Sequence, residues 1–200
     1  MKTILSLFDY SGNWSRPYEE AGHNVIRIDK KLDPPINILD INTEWLYENI
    51  FDCYETVDVV LAAPPCTDFA GSGAQYWKTK DADGRTAASL ELVYQVLRIV
   101  DVCMPDVFAL ENPVGRLSKL VPELGKPWYY QPYWFGDPYT KKSGIWGNFN
   151  KNLTRKDVIP LKMCIQGSWI QKLGGKSERT KELRSITPLG FAYAFYEANH

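Results

Sequence analysis

The stretch VDVVLAAPPCTDFAGSGAQ, Val57 to Gln75, decides how the chain is read. Val57–Ala63 is apolar apart from Asp58 and rich in β-branched residues, the signature of a strand buried on both faces. Pro64 and Pro65 end it, because each lacks a backbone donor and fixes its own φ. Cys66 leaves the strand behind these two stiff residues, at the head of a loop of about twenty residues that carries Gly71, Gly73 and Gly84. Loops of that length inside a compact domain tend to be functional. A thiol there differs from Cys53, Cys103 and Cys164, which read as small core residues.

Outward from this strand the chain alternates. Thr3–Phe8 is a short apolar run followed by turn residues. Ser15–Gly22 reads as a short helix, with Ser15 as cap, Pro17 early and Gly22 at its end. Asn24–Asp29 is a second strand, and a proline-bounded connection leads to a short extended piece ending at Asp40. Thr43 caps a helix reaching Phe51. Leu90, Val93, Leu97 and Val100 share one face of a helix over Ala87–Cys103, and Met104-Pro105 stops it. Asp106–Asn112 is the next strand. The alternation predicts an α/β domain with a mostly parallel sheet and helices on both faces. Beyond Glu123 an aromatic stretch suggests short strands and turns. Thr187 then caps a C-terminal helix with Pro188 at its first position. The expected division is a core over 1–150, a small basic appendage over 151–184, and a helix over 185–200 that returns to the core.

The 200 residues suit one domain with a small appendage. No apolar run approaches the roughly eighteen residues of a membrane span, and the N-terminus reads as a strand rather than a cleaved leader. The four widely spaced cysteines argue against both a zinc site and a disulfide framework, and point to a reducing cytoplasm. Charge is uneven. Residues 1–100 hold 9 Lys and Arg against 15 Asp and Glu, whereas 151–185 hold 9 against 3. That basic stretch is either a nucleic-acid footprint or a solvated face.

Ligands of open parallel sheets bind beyond the carboxyl ends of the strands. Those ends present Phe8, Asp9, Ser11, Gly12 and Asn13, then Asp29, Asp40, Pro64-Pro65-Cys66, and finally Glu111-Asn112. A glycine turn followed by a carboxylate suits a ribose-bearing cofactor. The dinucleotide fingerprint GxGxxG is missing, so a ribose-and-adenine cofactor lacking phosphate, S-adenosylmethionine, fits better. Glu111 follows apolar residues, a setting in which a carboxyl can hold or share a proton. A thiol and such a carboxyl on separate strand ends suit nucleophilic addition to an electron-poor ring, with the acid stabilising charge on a ring nitrogen.

Together these residues resemble the DNA cytosine-5 methyltransferase family. SLFDYSGNWSRPYEEAGHNVIRID looks like its cofactor loop and acidic strand, LAAPPC its Pro-Cys motif, ALENP its Glu-Asn motif, and RSITPLGFAYAF its C-terminal cofactor-closing segment. The resemblance implies a Rossmann-like S-adenosylmethionine-dependent fold. It implies that Cys66 adds to cytosine carbon 6 while Glu111 bonds ring nitrogen 3. Phe8, Asp9, Ser11, Gly12, Asn13, Asp29, Asp40, Pro64 and Thr187 would line the cofactor site. Pro65, Gln75, Asn112, Lys141 and Lys142 would meet a DNA base flipped out of its duplex.

The chain departs from the family in places. Tyr10 and Asn13 replace glycines, Pro113 follows Glu-Asn where valine is usual, and Lys141 and Lys142 stand where arginines are usual. The large recognition region is reduced to a short basic segment carrying Trp169. The expectation is therefore a compact, phage-like methylase in a cell's cytoplasm, with loose or very short sequence specificity or a protein partner that supplies it. The amino-directed DNA methyltransferases are disfavoured, since Ala-Pro-Pro-Cys lacks their leading Asp or Asn. A non-catalytic DNA-binding decoy on the same scaffold, and the same chemistry on another cytosine substrate or with a modified methyl group, stay open.

Overall fold

A computed structural model describes the chain except Gln166, Gln171, Lys172 and residues 174–176. Six strands form one sheet: β1 (Thr3–Leu7), β2 (Asn24–Ile28), β3 (Val59–Ala62), β4 (Val107–Pro113), β5 (Trp128–Tyr130) and β6 (Ser143–Trp146). Their order is β2-β1-β3-β4-β6-β5. The first four run parallel, β6 is antiparallel to β4, and β5 is antiparallel to β6. The helices are α1 (Arg16–Glu20), α2 (Thr43–Leu46), α3 (Trp77–Ala82), α4 (Arg85–Cys103), α5 (Leu117–Leu120), α6 (Glu178–Ser185) and α7 (Leu189–Asn199).

Strand side chains alternate between faces, and the sheet's two faces hold separate cores. Leu5, Leu7, Val60, Ala62, Phe108 and Leu110 pack on one side with Val93, Val96 and Ile99 of α4 and with Ile41, Leu46 and Ile50. Ile4, Val59, Leu61, Ala109 and Ile145 pack on the other with Trp14, Tyr18, Phe191 and Phe195. There Tyr130 and Phe191 stack with centroids 3.8 Å apart. The double coverage explains why the strand around Val60 is apolar on both faces.

Several local expectations shift. Ser15 precedes α1 without capping it; its hydroxyl bonds Asp9 instead. Asn42, not Thr43, caps α2 through the Trp45 amide, and a π-helical turn continues it over Tyr47–Phe51. The piece ending at Asp40 is a 3-10 turn (Ile38–Asp40) capped by Asn37, not extended chain. The stretch after Cys66 is no open loop: Gly71–Tyr76 is 3-10 helical and runs into α3. Thr187 does not cap α7, which starts at Leu189. Its Gly190 amide is capped across the fold by Asp137 Oδ2 at 2.8 Å.

Residues 151–161 lie along the 133–138 segment. Lys156 N and Val158 N donate to the carbonyls of Trp134 and Tyr133, and Leu153 reaches the α7-side core. The appendage expected over 151–184 thus leans on the core at its start, while six of its residues lie outside the described ones. No described helix is long and apolar enough to cross a membrane.

Candidate active site

The sheet brings the sequence-predicted groups to one rim. β3 delivers Pro64-Pro65-Cys66, and β4, its parallel neighbour, delivers Glu111 and Asn112. Asn112 is fully buried and its Nδ2 donates to the Pro64 carbonyl at 3.0 Å, tying the two strand ends together. Glu111 is 5 % exposed, and its Oε1 is buried without a hydrogen-bond partner among the described residues. An orphaned buried acceptor costs about 1–3 kcal/mol, so the carboxyl is set up to receive a donor from a ligand.

Cys66 is partly exposed as a residue. Burial pushes its thiol above the ordinary value; the positive charge of Lys141 opposes that rise, the Glu111 carboxyl adds to it, and Arg184 also opposes it. Two cations and one acid thus act on the thiol through their charge, and burial outweighs each of them. Lys141 Nζ donates to the Ile186 carbonyl at 3.3 Å, so the segment after α6 holds it beside the site. Lys142 points elsewhere, over the Tyr129 ring with its Nζ 4.6 Å from the centroid. Gln75 and Pro65 are exposed.

The loop after β1 is built around Asp9. Its buried Oδ2 accepts from Ser6 Oγ, Ser15 Oγ and Ser15 N at 2.9, 2.7 and 3.1 Å. Asp9 thus shapes the loop from beneath. The left-handed conformation falls on Phe8 (φ 61) and Gly12 (φ 68), not on Tyr10 or Asn13. For Phe8 that conformation stores about 1–3 kcal/mol of strain. Tyr10 is turned outward, with Lys31 Nζ 5.5 Å from its ring centroid. Gly12 takes its positive φ without strain, and a Cβ there would press only on the movable tip of Arg27, 2.6 Å from Nη1. Asn13 donates to the Thr187 carbonyl at 3.2 Å and accepts from Arg16. The exposed Ser11 accepts from the Asn13 amide. Asp29, half-buried at the end of β2, accepts the Lys31 amide on Oδ1, and no described residue bonds its Oδ2. Asp40 is exposed. Lys31 also pairs with Glu182 of α6 at 3.2 Å. The segment 182–187 therefore runs from the β2 end, past Lys141, to Asn13.

The chain matches a family model for C-5 cytosine-specific DNA methylase over residues 2–121, which span every one of these rim groups before Lys141. The chain belongs to that family. A crystal structure described as a candidate DNA modification methyltransferase encoded within a prophage (E. coli) is similar to it, with a TM-score of 0.52 and 16 % identity. That likeness covers 89 % of this chain and 56 % of the other, so the chain spans little over half the neighbour's length. It shows the Rossmann-like methyltransferase fold. No curated protein matches the chain. Among the described residues no cluster of three or more His, Cys, Asp or Glu could hold a metal.

Sequence reasoning missed Arg184, Asp137 and the polar residues behind the Cys66 turn. Arg184 sits inside the quoted RSITPLG segment, but nothing in its spacing tells that its charge bears on Cys66.

Proposed function

We propose that this chain is a DNA cytosine-5 methyltransferase acting through a covalent Cys66 adduct, with loose or very short sequence specificity. The observation that carries this reading is the pairing of Cys66 with Glu111 on neighbouring strand ends. One buried carboxyl oxygen of Glu111 awaits a donor, and Cys66 and Glu111 act electrostatically on each other.

Cys66 Sγ would form a bond to carbon 6 of a flipped cytosine, and the carbon 5–carbon 6 π electrons would move onto carbon 5. Glu111 would hold a proton at ring nitrogen 3 and offset the charge spreading through the ring. Lys141 and Arg184 would favour the thiolate before attack, since burial alone disfavours it. A solvent base would take the carbon 5 proton, whose electron pair would restore the double bond as the Cys66–carbon 6 bond breaks and Cys66 leaves as the thiolate.

S-adenosylmethionine, when bound, supplies an electrophilic methyl group to the enriched carbon 5. The residues fit such a cofactor: Oδ2 of Asp29, which no described residue bonds, can accept a ribose hydroxyl, and the loop Phe8–Asn13 joined to Thr187 offers backbone at close approach. Asp40 is exposed on its 3-10 turn; its place in the set rests on the family resemblance alone. The DNA partner is supported by family membership and by the basic residues of 151–185.

Wild-type protein with S-adenosylmethionine and a duplex carrying 5-fluorocytosine is expected to give a denaturation-resistant protein–DNA complex. Cys66→Ser is expected to lower its yield by on the order of 10⁴-fold. With ordinary DNA and tritiated S-adenosylmethionine, label should appear in 5-methylcytosine after digestion. Label in an amino-methylated base would reject the reading. DNA binding without any label would favour the decoy.

A further inference from the structure

Two buried cations grip the backbone next to Cys66 from different elements. Lys80 of α3 is 6 % exposed. It donates to the Thr67 carbonyl and pairs with Asp68 Oδ1 at 3.1 Å. Arg116, just beyond β4, donates from Nε to the Asp68 carbonyl at 3.1 Å. Its fork binds both oxygens of Asp81 at 2.9 and 2.7 Å and the Thr86 hydroxyl at 2.8 Å. The guanidinium lies over the Trp77 ring, 4.8 Å from its centroid. Ser89 of α4 closes the network by donating to Asp68 Oδ2 at 2.6 Å.

The backbone joins in. Phe69 N and Ala70 N donate to the Cys66 carbonyl at 3.0 and 2.9 Å, Arg116 N donates to the Phe69 carbonyl at 3.0 Å, and Gly71 N to the Val114 carbonyl at 2.8 Å. A Cβ on Gly115 would lie 1.9 Å from the Phe69 carbonyl oxygen, so the two chains cross at a distance only glycine permits.

Buried ion pairs are weak stabilisers relative to apolar packing of similar volume. Here both cations are spent on the two peptide carbonyls that follow the thiol. We propose that Lys80 and Arg116 are positioning residues that fix the Cys66–Ala70 turn, and with it the height of the sulfur above the sheet rim, before any base arrives. This rests on the reading of Cys66 as nucleophile. The turn at the thiol is preset, and only the exposed arm around Ser72 and Ala74–Tyr76 is left to adapt to a base. Arg116 is suited to the task by its planar fork, which a lysine cannot reproduce.

The test is the single-turnover rate of adduct formation on a 5-fluorocytosine duplex with S-adenosylmethionine, measured beside the duplex Kd and the melting temperature. Arg116→Lys and Lys80→Met are expected to bind duplex within about twofold of wild type yet form adduct about 10²-fold more slowly, as displaced reacting groups do. Asp81→Asn frees the fork of Arg116 from the surface side, where Asp81 is half exposed. It is expected to slow the adduct to a lesser degree with the fold intact, and it decides the matter if the other two variants do not fold. Adduct formation at the wild-type rate in folded variants would overturn the inference while leaving Cys66 as nucleophile. So would a slowing matched by an equal loss of duplex affinity. No adduct with wild type would instead remove the nucleophile reading itself.

Discussion

Leu61 and Leu161 carry the same side chain into opposite neighbourhoods. Leu61 is fully buried in β3, between Ser6 of β1 and Ala109 of β4. Leu161 is 56 % exposed, in a run where Ile159, Met163 and Ile165 also face out. The first sits where strand register and two covering layers specify each position. The second sits where the chain follows the core's outline through a few backbone bonds to residues 133–138. The difference teaches where the fold stores its precision: beneath the nucleophile, and not in the segment expected to touch DNA. The family model likewise ends at residue 121, before that segment begins.

The largest expected effect on that contrast after loss of the thiol itself is in the core. Leu61→Ala should cost about 2–5 kcal/mol of unfolding free energy, measured by urea denaturation, because the cavity it leaves is walled by sheet and helix. A cost near zero would break the contrast from the core side.

Much of the core was legible because its pattern is two-sided and local. The run around Val60 could only be a doubly covered strand, and Leu90, Val93 and Leu97 could only be a helix face packed on it. Cys66 and Glu111 were legible because strands deliver their ends to one rim. Helix starts were less so: Ser15, Thr43 and Thr187 are all good capping residues, yet Asp9, Asn42 and Asp137 decide those ends through contacts that local propensity does not contain. The 3-10 and helical turns within the twenty residues after Cys66 are not legible, because they are held by bonds to residues far along the chain. Gly115 permits a close chain crossing at Phe69, and a Cβ on Gly71 would press on the Val114 carbonyl at 3.2 Å. Nothing in the spacing of Lys80 and Arg116 tells that they are buried, since tertiary packing alone encloses them. Gln171, Lys172 and Lys176, part of the expected basic segment, lie outside the described residues.

The next effect in size sharpens the other side. Changing Lys151, Lys156 and Lys162 together to alanine should lower the slope of log K against log salt for duplex binding by up to about 3 if each meets a phosphate. An unchanged slope would make the basic stretch a solvated face. Stability should barely move in either case.

A smaller effect concerns the thiols. Burial disfavours the Cys66 thiolate, so its reaction with iodoacetamide should lag behind that of the exposed Cys53 at pH 8 and keep climbing at higher pH. Cys103, pushed up to about 11, should stay silent at pH 8. Lys141→Ala removes the leading charge opposing the Cys66 rise and should slow its alkylation by under about tenfold. Alkylation of Cys66 ahead of Cys53 would mean that the two cations overcome burial. Smallest of all, Leu161→Ala should change stability by no more than about 0.5 kcal/mol by the same urea measurement.

Gly115 touches neither the rim carboxyl nor the sulfur, yet even a methyl group there would wedge two strands of main chain apart at the hinge of the reactive turn. In a saturation screen scored on methylated product, this position should therefore behave as strictly as the reactive residues do, rejecting alanine as firmly as tryptophan. A map of intolerant positions would then outline the catalytic machinery and its scaffolding as one continuous blot, and only chemistry could tell them apart.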